Sequence, residues 1–299
     1  MLEKLKQHLK EVMESTNLIG EGDIETLSQA FASISLKLDR LIELQASSYI
    51  DFVKEHSARY ADEKRIAAAY GQVYSQNNED GIIAEIFRRI GTESKTFIEV
   101  AAGDGIENTT RLLVETGWRG LWVEAGDAEA DCIRHLMRTP LTTGQLTFVN
   151  EKVTLDNIEA MVRDSGYVTP DYISVDIDYN TSHIWRKLAQ FRPRLFCIEY
   201  NGHFPPSMSF EVPYREDKVW TGTNRFGASL KALEEIGREN GYQLVGCDVF
   251  GVNAFFVRED LCSEALFAAP FTAENHYEPP RFGAVRARGH ARHLPFGTE

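Results

Sequence analysis

The chain has 299 residues, 43% of them hydrophobic and 26% charged, which fits one large α/β domain with an appendage. A net charge of −13 argues against nucleic acid as a partner, because its phosphates would be repelled. No apolar run approaches the ~20 residues of a membrane span, and the charged start MLEKLKQHLKEVMEST lacks a secretory signal's apolar stretch, so a cytoplasmic protein is expected.

Residues 1–70 read as a helical extension. Proline is absent there, and Asp23 is a candidate cap for a helix beginning at Ile24. Ile24, Leu27, Phe31, Ile34, Leu38 and Leu41 alternate spacings of three and four, an a/d stripe of under three heptads. Such a stripe fits either a helix pairing between subunits, which would make a homo-oligomer, or a helix lying on the rest of the chain.

From about residue 71 to 262 the pattern becomes β-α alternation. Strands are expected at 96–101, 120–125, 146–150, 172–176 and 195–199, with helices near 79–90, 106–116, 128–138, 155–164 and 182–191. A helix at 228–240 precedes strands 242–247 and 253–257. The link between those two strands is too short for a parallel crossover, so they form an antiparallel hairpin. The expected fold is α/β: a doubly wound, mostly parallel seven-stranded sheet of class I methyltransferase type. The long segment 202–225, with Pro205, Pro206 and Pro213, should overhang the carboxyl edge. Residues 263–299 read as a basic tail, with Arg281, Arg286, Arg288, Arg292, His290 and His293. The cysteines, Cys132, Cys197, Cys247 and Cys262, form no CxxC pair and read as small hydrophobes in a reduced compartment.

The first β-α turn, Phe97-Ile98-Glu99-Val100-Ala101-Ala102-Gly103-Asp104-Gly105, brings backbone close to a ligand at the sheet edge. A dinucleotide pyrophosphate is disfavoured: the third glycine of GxGxxG is replaced by Asn108, and Glu99 and Asp104 would repel phosphate. A sulfonium with an ammonium group prefers such acids, which favours S-adenosylmethionine. Glu124, ending the second strand, is placed to accept both ribose hydroxyls. Upstream, Ser75 and Gln76 belong to the polar run YSQNNEDG, which either caps the following helix or closes over the donor.

These runs, with PDYISVDIDYNTSHIW, RPRLFCIEYN and GYQLVGCDVFGVNAFFVR, resemble the FkbM-type S-adenosylmethionine methyltransferases over roughly residues 71–258. The resemblance implies O-methylation of a hydroxyl on a sugar, glycan or natural-product acceptor. The chain departs from the family at Ala101-Ala102 and at Tyr179, where glycine is common.

On the acceptor side, Asp176 and Asp178 follow the fourth strand, and Glu199 and Asn201 end the fifth. Extended geometry would put each pair on one face. An oxygen-rich set of Asp176, Glu199 and Asn201 suits Mg²⁺, which would lower the pKa of an acceptor hydroxyl. Asp176 and Asp178 are also candidates for direct catalytic roles. His203, and after it His183, is the candidate proton acceptor. Trp220 and Tyr214 either stack on a sugar ring or anchor the loop. A nicotinamide-dependent oxidoreductase and a non-catalytic interaction protein are the competing readings.

Overall fold

The structure, a computed structural model, describes residues 21–281, except for the side chains of 21–25, 39, 43, 46 and 47. Seven strands form one sheet in the order β3-β2-β1-β4-β5-β7-β6. They are β1 Thr96–Val100, β2 Arg119–Glu124, β3 Leu146–Asn150, β4 Tyr172–Val175, β5 Leu195–Glu199, β6 Tyr242–Cys247 and β7 Asn253–Arg258. All pairings are parallel except those of β7, which runs antiparallel to β5 and β6. This is the sheet of class I methyltransferase type that the β-α alternation and the short 248–252 link predict.

The period of two along each strand sorts its side chains between two cores. Phe97, Trp122, Tyr172 and Cys197 point to one face. It is covered by α2 (Glu79–Ile90), α3 (Arg111–Glu115) and α4 (Asp127–Leu136). Ile98, Val123, Ile173 and Ile198 point to the other. There they meet α6 (Ile158–Ser165), α7 (Thr181–Leu188) and α8 (Leu230–Glu239). A short helix, α5 (Arg138–Thr143), follows α4 and was not anticipated. Ser229 starts α8 by accepting the Ala232 N–H, the side-chain cap that a helix N-terminus needs.

The body does not divide at residues 70 and 262. Tyr60, Ile66 and Ala67 are buried, and so are Phe267, Ala273, in α9 (Ala273–His276), and Glu278. The Glu278 carboxylate accepts from Arg59 Nε (2.9 Å), Tyr60 Oη (2.6 Å) and Arg281 Nη1 (2.8 Å), tying the two flanks together. Arg286, Arg288, His290, Arg292 and His293 of the expected basic tail lie outside the described residues, as does the stretch before residue 21.

Ahead of the body runs α1, Glu21–His56. It does not lie on the sheet layers. Only its last turns are covered, where Ile50 and Val53 pack with Tyr60, Ala67, Val249 and Phe250. Leu27, Phe31, Ile34, Leu38 and Leu41 are all exposed. No helix among the described residues is long and apolar enough to cross a membrane.

Candidate functional site

Because β7 is antiparallel, its first residue, Asn253, sits at the same sheet edge as the carboxyl ends of β1, β4 and β5, paired with Glu199. A cleft of about 370 Å³ opens at this edge. Its lining includes Gln76, Asn77, Glu79, Glu99, Ala101–Asp104, Glu107–Thr109, Glu129, Asp176 and Asn253. Six of these are carboxylates, and no Lys, Arg or His is among them.

The loop after β1 is the floor. Glu99 is buried and its carboxylate collects five donors. These are Asn108 Nδ2 (2.7 Å), Thr109 N and Oγ1 (both 2.9 Å), and Thr110 N (3.2 Å) and Oγ1. Burial pushes its pKa above the ordinary carboxylate range against the pull of those donors. Their capture explains why the helix expected from residue 106 starts only at Arg111: the backbone of 108–110 is turned toward Glu99. Gly103 (φ +58°) and Gly105 (φ +77°) take the left-handed conformations the turn requires. Ala101 does so as well, at φ +64°, where an alanine is strained and a glycine would not be.

Glu124 bridges two loops. Its Oε2 accepts the Gly103 N–H (2.9 Å) and its Oε1 the Gly126 N–H (2.7 Å), so it braces the glycine turn. Asp104 lines the cleft, and one of its oxygens accepts the Ile106 N–H. Ser75 is buried and serves the fold: its Oγ accepts the Asp80 N–H, while Asp80 Oδ2 accepts from the backbone of Val73, Tyr74 and Ser75. Within YSQNNEDG, the Ser75 hydroxyl thus takes a first-turn N–H of α2, while Gln76, Asn77 and Glu79 line the cleft.

Glu79 escaped the sequence reading. It accepts from Asn77 N (2.7 Å) and Asn253 Nδ2 (2.7 Å), and burial raises its pKa. Asn253 escaped too, although an antiparallel last strand must begin at the ligand edge. That inference was available from the short link before it.

Beside the cleft, Asp176, Asp178 and Glu199 bring carboxylate oxygens within 4.8 Å of one another. Desolvation of its carboxyl by the groups around it, and then the Asp178 charge, raise the pKa of Asp176 to about 6. Burial, then the charges of Asp176 and Asp178, lift Glu199 well above the usual range. Glu199 Oε2 is enclosed with no hydrogen-bond partner.

Of the two expected i, i+2 pairs, Asp176 and Asp178 come together, though not through extended strand, and Glu199 and Asn201 do not. β4 stops at Val175, and Asp178 reaches the cluster through a left-handed backbone, φ +59°. Asn201 is turned away from it. Its Nδ2 donates to Asn224 O (2.9 Å) and Phe226 O (3.0 Å), and its Oδ1 accepts the His203 N–H (3.2 Å). The oxygen set is thus Asp176, Asp178 and Glu199, with Asn201 a brace for the long loop.

His203 is exposed on the loop after β5. The His183 ring is committed elsewhere: Nε2 lies 2.8 Å from Val212 O, and the ring stands edge-on to Tyr214 at 5.6 Å. Tyr214 Oη accepts the Leu155 N–H (3.3 Å), and Trp220 Nε1 donates to Thr223 O (2.7 Å), so both rings have anchoring contacts. A second cavity, about 530 Å³, opens at the opposite edge of the sheet. Of its three arginines, Arg194 and Arg258 are held by Glu93 (3.5 Å) and Asp260 (2.6 Å); the third is Arg192.

No protein-family model matches the chain, and no curated protein does. Among solved structures, the chain is similar to a candidate O-methyltransferase from Klebsiella pneumoniae: 14% identity, 74% of this chain and 99% of that one, TM-score 0.42. It is similar to the METTL16 MTase domain at 14% identity and TM-score 0.40, over 60% of this chain and 66%, just under two thirds, of that one. The glycopeptide N-methyltransferase MtfA, complexed with S-adenosyl-L-homocysteine, matches at 15% identity over 63% and 89% of the two chains, TM-score 0.35. At these scores the likeness leaves the functional assignment to the geometry of the site.

Proposed function

We propose that this chain is an S-adenosylmethionine-dependent methyltransferase that acts on a hydroxyl of a sugar, glycan or natural-product acceptor. The observation that carries the reading is the charge of the cleft: six carboxylates and no cation line a pocket at the carboxyl edge of β1 and β4. A sulfonium and an ammonium suit that lining, whereas a pyrophosphate would meet repulsion. The residues fit the donor in a second way, because the turn after β1 brings bare backbone at Gly103 to the cleft. Hydroxyl as the acceptor, and the FkbM family itself, rest on the motif resemblance.

When bound, the donor supplies a methyl group on positive sulfur. The acceptor oxygen forms the new C–O bond as the C–S bond breaks, and the hydroxyl proton must go to a base. Within this reading, Glu124 holds the donor's ribose hydroxyls through lone pairs that Gly103 and Gly126 leave free. Asp176, Asp178 and Glu199 are the residues that would hold a divalent ion, a hard cation suited to three carboxylates, which would make the hydroxyl more acidic. His203 is proposed as the proton acceptor.

Calorimetry with S-adenosylmethionine or S-adenosylhomocysteine tests the donor assignment. Binding is expected in the micromolar range, about −8 kcal/mol. Glu124→Ala should weaken it by roughly 1.5–3 kcal/mol through lost charge-assisted hydrogen bonds. Binding of NAD with no binding of either sulfur compound would overturn the reading.

A further inference from the structure

The long N-terminal helix poses a problem that the catalytic body does not solve. At 36 residues, α1 extends about 54 Å. Its root is firm: Ile50 is 1% exposed, Tyr70 Oη donates to Asp51 Oδ1 (3.2 Å), and Lys54 Nζ sits 4.2 Å from the centre of the Tyr70 ring. Beyond the root the helix leaves the body and carries its apolar residues into solvent. Leu27, Phe31, Ile34, Leu38 and Leu41 are between 41% and 62% exposed, and Ile42 and Leu44 beside them 40% and 65%.

The arrangement of these side chains says what covers them. Spacings of four, three, four and three keep Leu27, Phe31, Ile34, Leu38 and Leu41 on one stripe, the seam that lets two helices interlock. Small residues, Ser28, Ala30 and Ser35, flank the seam and allow close approach. The seam stops at Gln45 and Ser48, where the helix nears its root. The five seam side chains stand in one row, which a single helix of the same kind covers; Leu36, 53% exposed, lies off that row. An anionic membrane surface fits poorly. From residue 21 to 44 the helix has Lys37 and Arg40 against Glu21, Asp23, Glu25, Asp39 and Glu43, whereas a helix that lies on such a surface is rich in Lys and Arg.

We propose that α1 is a self-association element whose 27–44 segment pairs with the same segment of a second copy of this chain as a short two-helix coiled coil. Twofold closure needs no other partner, because the seam is complementary to itself. The pairing also bears on the cleft. The root of α1 packs on Val249 and Phe250, in the β6–β7 turn that leads directly to cleft residue Asn253. The second copy would thus be held by an element seated a few residues from the site.

Sedimentation equilibrium of the full chain and of an Ile34→Glu/Leu41→Glu variant tests this. The unaltered chain should be a dimer at micromolar concentration. The variant should dissociate at least about 100-fold more readily, since two charges would be buried in the seam. Ser33→Glu, off the seam, should remain dimeric. Near-ultraviolet circular dichroism of the buried Trp122 and Trp185 reports that the body of each variant is folded. The proposal is overturned by a monomeric unaltered chain, by an assembly larger than two, or by a folded Ile34→Glu/Leu41→Glu variant that remains dimeric.

Discussion

The two acidic regions at the carboxyl edge have the same residue types and opposite surroundings. On the floor, Glu99 has five donors, and Glu79 and Glu124 each accept at least two. Beside it, Asp176, Asp178 and Glu199 crowd one another, and the enclosed Glu199 Oε2 accepts no hydrogen bond within 3.5 Å. A buried carboxylate saturated by backbone and hydroxyl donors shapes a loop. Carboxylates crowded within 4.8 Å of one another cost stability, and such perturbed groups cluster at functional sites. The contrast supports the proposed division, in which Glu99 shapes the loop and the trio takes part in the chemistry.

The sharpest way to break this comparison is to neutralise each region in turn. Asp176→Asn with Glu199→Gln should lower methyl transfer by about 10²–10⁴-fold, the scale on which positioned acid–base groups act, while the protein stays folded. If a divalent ion is held there, a chelator should reproduce the loss and Mg²⁺ should reverse it. If proton transfer to His203 dominates instead, the chelator should do little, and His203→Ala should show the loss. The pH dependence of stability follows from the same trio. The folded-state pKa of Asp176 is raised to about 6, above its unfolded value near 4. As pH rises between those values the unfolded chain gives up its proton first, so this group makes stability fall across that window. Urea titrations should show the fall in the unaltered chain and a shallower one in the double variant, where Glu79, Asp80, Glu99, Asp178 and Asp248 keep their raised pKa values. A flat profile in the unaltered chain would remove the crowded-acid reading.

Glu99→Ala should act in the opposite sense, on folding before chemistry. Five donors would lose their acceptor, and the expected cost is about 2–4 kcal/mol, read as a lower urea midpoint with unchanged slope. A variant of ordinary stability with weakened donor binding would mean that Glu99 belongs with the binding groups.

The smallest expected effect is at Ala101. Its φ of +64° strains an L side chain by roughly 1–2 kcal/mol, partly offset by the extra freedom a glycine has when unfolded. Ala101→Gly should therefore stabilise the protein by about 0.5–1 kcal/mol. A lower midpoint would show that the alanine methyl makes contacts worth more than the strain.

Strand positions, helix order and the antiparallel end of the sheet were legible in the sequence, because they follow from short-range signals. β-branched runs alternate in period two, amphipathic helices lie between them, and a link of five residues cannot cross over a sheet. The acids at strand ends were legible for the same reason, since a parallel strand carries its last residue to the ligand edge. Which of those acids are taken up by backbone and side-chain donors was decided only by the tertiary structure. It depends on donors brought from elsewhere: Thr109 and Thr110 to Glu99, and Asn253 to Glu79 across 174 residues. Asn201 and Asp178 show the same limit. An alternating pattern would put each beside its neighbour two residues away, but β4 ends at Val175, a left-handed turn carries Asp178 into the cluster, and the loop carbonyls of Asn224 and Phe226 take Asn201 out of it. The stripe on α1 was visible as a pattern, but whether it faced the body or solvent was not. Periodicity records which residues share a face of a helix, and only packing records what that face meets.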